Sequence, residues 1–136
     1  MNDREPALDF SNPATMPSSV GYSQVVAVQA ARMLYIAGQI ALNPAGEVVG
    51  PGDLLAQTRQ VFANLKAALE AYGATFEHVV KLNYYMVDIR QIPVVRAVRD
   101  EYISAQNPPA STAVEVRRLF RDEFLIEIDA VAALRG

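Results

Sequence analysis

The chain has 136 residues, 51% of them hydrophobic and 20% charged, with a net charge of −3; this suits one compact domain and is too apolar for a disordered chain. No apolar run reaches the roughly 20 residues of a bilayer-crossing helix, and Met1 to Phe10, with Asp3, Arg4, Glu5 and Asp9, is unlike a secretory leader. Cysteine is absent, which excludes disulfides and cysteine-ligated metals, and no basic cluster stands out, so the expectation is a cytoplasmic protein with neither nucleic acid nor membrane as partner.

One domain over residues 1–136 is expected, with residues 1–20 an irregular lead-in, because Pro6, Pro13 and Pro17 lie among Ser and Asn. It leaves room for at most one short strand. Tyr22 to Gln29 and Met33 to Gln39 are rich in β-branched and aromatic residues, and they read as an antiparallel hairpin turning at Ala30-Ala31-Arg32. Asn43 to Gly52 reads as a long loop. Asp53 is an N-cap candidate for a helix whose inner face is Leu54, Thr58, Val61, Phe62, Leu65, Leu69 and Tyr72. Gln57, Gln60, Asn64 and Glu70 fall outside that face, and Gly73 ends the run.

Val79 to Val87 alternates as a strand, with Val80, Leu82, Tyr84 and Met86 on one side. A second helix starts near Pro93 with Val95, Val98 and Tyr102 inward, and Asn107-Pro108-Pro109 stops it. Two closing strands, about Ser111 to Leu119 and Phe124 to Leu134, read as a hairpin joined near Arg121-Asp122. The fold class is therefore α+β, with a mixed sheet and two helices on one face.

In the last strand Ile126, Ile128, Ala130 and Ala132 share one side, while Leu125, Glu127, Asp129 and Val131 share the other. The second side mixes charge with too much apolar material for open solvent. A subunit interface enclosing a partly polar cleft reconciles the two, so a homo-oligomer is expected.

Several segments resemble the Rid family (RidA/YjgF). They are Gly21-Tyr22-Ser23-Gln24, Ile36-Ala37-Gly38-Gln39, Gln57 to Leu65 (close to that family's QTRQVLENL), Asn107-Pro108-Pro109-Ala110, Val114-Glu115-Val116 and Ile126-Glu127-Ile128. The resemblance runs in order from about Asn12 to Leu134. It implies a chorismate-mutase-like fold assembled as a homotrimer, with clefts between subunits and no cofactor or metal. It further implies hydrolysis of imines and enamines, such as 2-aminoacrylate, to keto acids and ammonia. Carried over by position, Glu127 would orient the attacking water, Tyr22 would line the cleft and the Gly38 backbone would bind a polar substrate atom.

The family's carboxylate-clamping arginine falls on Ser111, which places the chain in a subgroup without it. A guanidinium gives two charge-assisted hydrogen bonds and a serine one neutral bond. The loss should cost roughly 10²- to 10⁴-fold on an anionic imine. Arg117 shares the Ser111 strand face but lies about 20 Å along it. Arg96 occupies a position where the family has a cleft-facing asparagine, and from there it could act on a ligand; the commoner fate of such a residue is a surface pair with Asp100.

Glu127 and Asp129 could serve as an acid/base pair or as salt links to Arg117 or Lys81, and Asp129 is read as structural. His78, the lone histidine, is no metal or triad signal. The expected substrate-binding set is Tyr22, Gly38, Ser111 and Arg96, with Glu127 catalytic. The competing expectation is a non-catalytic trimer that binds a small molecule or regulates a protein.

Overall fold

The structure, a computed structural model, describes residues 7–29 and 32–134. Its elements are β1 (Ala7–Ser11), β2 (Val25–Gln29), β3 (Arg32–Gln39), α1 (Leu54–Glu70), β4 (Val79–Met86), α2 (Ile92–Arg99), β5 (Ala110–Glu115) and β6 (Ile126–Leu134). Strands β3, β6, β4 and β5 form a four-stranded sheet in that order, and β1 pairs with β2 separately. The result is a mixed α+β architecture, because the β4–β5 pair is parallel and the β3–β6 and β4–β6 pairs are antiparallel.

Among the described residues neither expected hairpin pairing is present. β2 runs antiparallel to β1, while β3 pairs with β6; the Ala30-Ala31 turn itself lies outside the described residues. β5 and β6 are separated by β4, since α2 carries the chain from β4 over the sheet and returns it parallel as β5. β6 then enters the middle of the sheet. Its high apolar content suits a strand hydrogen-bonded on both sides.

The helices cover the face that carries Leu82, Tyr84, Met86, Ile126, Ile128, Ala130 and Ala132, all buried. α1 contributes Val61, Phe62, Leu65 and Leu69, each 0% exposed. Asp53 caps α1 by accepting from the Ala56 amide at 3.1 Å. Asp53→Ala should therefore lower stability by about 1 kcal/mol, seen as a melting point reduced by about 3 °C.

Two residues expected in the first helix depart from the sequence expectation, one of them, Tyr72, beyond the end of α1. Tyr72 is 54% exposed, with the Arg32 guanidinium over its ring. Gln57 is fully buried, because its amide donates to the carbonyls of Gly50 (3.1 Å) and Glu123 (2.8 Å) and accepts from the Leu125 amide (2.8 Å). α2 also stops earlier than expected, at Arg99. Beyond it Tyr102 stacks on Phe62 with centroids 5.2 Å apart, and Phe76 closes the aromatic group.

Candidate functional site

Register decides which side chains can meet. Ser111 lies opposite Leu82, which lies opposite Ala130, so Ser111 belongs to the helix-facing side. Glu127 lies opposite Tyr85, and Asp129 opposite Asn83, on the other face. One chain therefore divides the expected site into two groups on opposite faces of the sheet.

The first group surrounds a cavity of about 240 Å³ beside α2, lined by Val20, Tyr22, Tyr84, Ile92, Val95, Arg96, Arg99, Ser111 and Ala113. At only eight residues, α2 leaves the β5 edge of the sheet partly uncovered. Tyr22 is held there from both flanks. Ser23 is buried, its hydroxyl donating to the Pro108 carbonyl at 2.6 Å and its amide to the Pro109 carbonyl at 3.1 Å. On the other flank Arg99 donates to the Gly21 carbonyl at 3.2 Å. Gly21 has φ +78, and a Cβ there would stand 3.1 Å from the Arg99 guanidinium, so the approach requires glycine.

Arg96 is exposed on α2, as the commoner expectation has it, and borders this cavity, but it does not pair with Asp100. Asp100 is bound by Arg99 at 2.9 Å, one residue away. Among the described residues Arg96 has no ion pair, and no carboxylate lines the cavity.

Tyr84 was not anticipated as a cavity residue. It is 4% exposed, and its hydroxyl has no hydrogen-bond partner. Burial pushes the phenol well above its ordinary value, with Arg99 and Arg96 opposing and Asp100 reinforcing the rise, so it stays neutral and able to donate. The available signal was a hydroxyl-bearing residue inside the buried alternation of β4.

The second group is Gly38 and Glu127. β3 carries an irregularity between Ile36 and Gln39, where three steps along β3 match two along β6. Gly38 sits in it, directly beneath the Glu127 side chain, and a Cβ on Gly38 would overlap the Glu127 carboxylate. The Glu127 carboxylate is partly buried and has no hydrogen bond or ion pair among the described residues. Burial first, and then the neighbouring Asp129 charge, push its carboxyl above the ordinary value.

Asp129 is structural, as read from the sequence. It accepts from Asn83 Nδ2 at 2.7 Å and from the Tyr85 hydroxyl at 3.0 Å. The salt links considered for these carboxylates do not form: Lys81 donates instead to the Thr112 hydroxyl at 2.7 Å. Glu115 accepts from the Ile89 amide at 3.1 Å, tying the turn before α2 to β5. His78 Nδ1 accepts from the Thr75 amide at 3.0 Å, within a capping box at the start of β4.

Comparison with known proteins places the chain. A family model described as Endoribonuclease L-PSP matches residues 13–134. A RutC family protein of Pyrococcus horikoshii is 45% identical over 118 residues, 85% of this chain and 90% of that one. The 2-iminobutanoate/2-iminopropanoate deaminase of Escherichia coli is 37% identical over 122 residues, 88% of this chain and 92% of that one. The crystal structure of YyfB from Yersinia pestis, described as a protein of unknown function of the conserved Rid protein family, superposes with a TM-score of 0.85 at 42% identity, covering 93% of this chain and 98% of that one. With matches of this extent over nearly all the described residues, the chain belongs to the Rid family.

Proposed function

We propose that this protein is a homotrimeric imine/enamine deaminase whose sites lie between subunits, where the α2-side cavity of one copy meets the Gly38–Glu127 face of the next. The division of the candidate residues between two sheet faces supports this, since only a second copy can complete the site. The reaction adds water to a C=N carbon and expels ammonia, leaving a carbonyl; an enamine first tautomerises to its imine. Glu127 accepts a proton from the attacking water and returns it to the departing nitrogen. The Gly38 backbone holds a polar substrate atom, and Tyr22 and Ser111 line the opposite wall.

The observation that carries this reading is the unpartnered, partly buried Glu127 carboxylate above Gly38, with its carboxyl raised above the ordinary value by burial and by the Asp129 charge. A relative named as an imine deaminase supports the reaction type. The net charge of −3 offers a polynucleotide little attraction.

Ser111 in place of the family's arginine weakens the reaction on 2-aminoacrylate. Incubation with enzymatically generated 2-aminoacrylate, and with imines lacking an acid group, should release ammonia above the buffer rate in at least one case. Rates equal to buffer on every imine would leave a non-catalytic binder. Ser111→Arg should raise turnover of 2-aminoacrylate by at least tenfold.

A further inference from the structure

Tyr22 reaches the α2-side cavity from the irregular segment between β1 and β2, residues 12–24. The first part of that segment is tied to itself. The Asn12 side chain accepts from the Ser19 hydroxyl at 2.7 Å and from the Gln24 amide at 2.9 Å, and Gln24 Nε2 donates to the Pro17 carbonyl at 3.0 Å. The end of the segment is tied to the body of the protein at the buried Ser23, through the Pro108 and Pro109 carbonyls. Between these moorings Val20, Gly21 and Tyr22 form a strap. Among the described residues the strap makes one hydrogen bond, from Arg99 Nη1 to the Gly21 carbonyl at 3.2 Å. Open space lies on either side of it: the α2-side cavity, about 240 Å³, and a second cavity of about 490 Å³ bounded by Gly21, Arg99, Ile103 and Pro108. Arg99 borders both. With space on two sides and a glycine at φ +78 in its centre, the strap has little besides that one bond to fix its position.

We propose that Arg99 is a positioning residue, a latch that holds the strap of residues 20–22 so that Tyr22 stands in the wall of the α2-side cavity. Two of its guanidinium nitrogens, Nε and Nη2, donate to Asp100 Oδ1 at 3.1 and 2.9 Å, which leaves Nη1 for the Gly21 carbonyl. Asp100 thereby sets the direction of the latch. The Arg99 side chain is 17% exposed, so water competes little for the bond it makes to the strap. When the latch opens, the strap turns about Gly21 towards the second cavity and carries Tyr22 out of the wall, which admits or releases a ligand. The inference rests on the proposed deaminase reading only for counting Tyr22 in the site, and the order of the strap is measured without substrate.

Backbone nitrogen-15 relaxation of the full-length protein reads the strap directly. The Gly21 and Tyr22 amides should have order parameters of about 0.85 in the parent and below about 0.6 in Arg99→Met, which keeps the bulk of the side chain without its donors. Ser23 and the amides of β4 and β6 should not change. Arg99→Lys should recover part of the order, and Asp100→Ala should fall between the parent and Arg99→Met. On an imine that the parent turns over, Arg99→Met should raise KM about tenfold with kcat within about twofold of the parent. Added to Tyr22→Ala it should have almost no further effect, because it acts through Tyr22. Unchanged order at Gly21 and Tyr22 in Arg99→Met, or effects of Arg99→Met and Tyr22→Ala that simply add, overturns the proposal. A loosened strap in a protein that hydrolyses no imine would sink the deaminase reading and leave the latch standing; imine turnover with an unmoved strap would do the reverse.

Discussion

Replacing Gln57 by alanine should lower the stability of the protein by about 3–5 kcal/mol. Gln57 is fully buried and its amide joins the loop before α1, through Gly50, to the entry of β6, through Glu123 and Leu125. Truncation leaves two backbone carbonyls and one amide without their partner and opens a cavity beside them. For a domain of this size the melting temperature should fall by roughly 10–15 °C. Gln57→Met fills the same space without the hydrogen bonds, and it should recover no more than about 1–2 kcal/mol of the loss. A Met variant as stable as the parent would show that volume, and not the three hydrogen bonds, is what Gln57 provides.

Glu127→Gln should reduce imine turnover by about 10²- to 10⁴-fold, the usual contribution of a positioned acid–base group. It should also make the protein more stable at neutral pH. The folded state raises the Glu127 carboxyl above its usual value of 4.5, by burial and then by the Asp129 charge. The folded protein therefore holds that proton more tightly than the unfolded chain, and stability falls as pH rises from the usual value through the raised one. Glutamine cannot ionise and escapes this penalty. The variant should melt above the parent at pH 7, and the difference should disappear near pH 4. Gly38→Ala should lower activity in the same direction, because the added methyl displaces the carboxylate. A Glu127→Gln protein that melts below its parent at pH 7 would show that the carboxylate is held by interactions favouring its charge.

The amino-acid sequence by itself determined the local features of the protein. Asp53 begins α1, the spacing of Val61, Phe62, Leu65 and Leu69 defines its buried face, and the alternation in β4 and β6 separates Ile126 and Ile128 from Glu127 and Asp129. These follow from propensity, capping and side-chain period, which act over a few residues. The short motifs around Gly38, Pro108 and Glu127 carried the family resemblance for the same reason.

Strand pairing required the tertiary structure. Hairpins were expected for β2–β3 and β5–β6 because adjacent strands usually pair, yet α2 makes β5 a parallel neighbour of β4 and frees β6 for the centre of the sheet. That exchange sets Ser111 on the helix-facing side and Glu127 on the opposite side. The same long-range packing buries Gln57, whose partners lie up to 68 residues away, and joins Tyr84 and Arg96 at one cavity. Periodicity assigns a residue to a face. Which chain segment covers that face depends on contacts between residues far apart in sequence, and these carry no local signal.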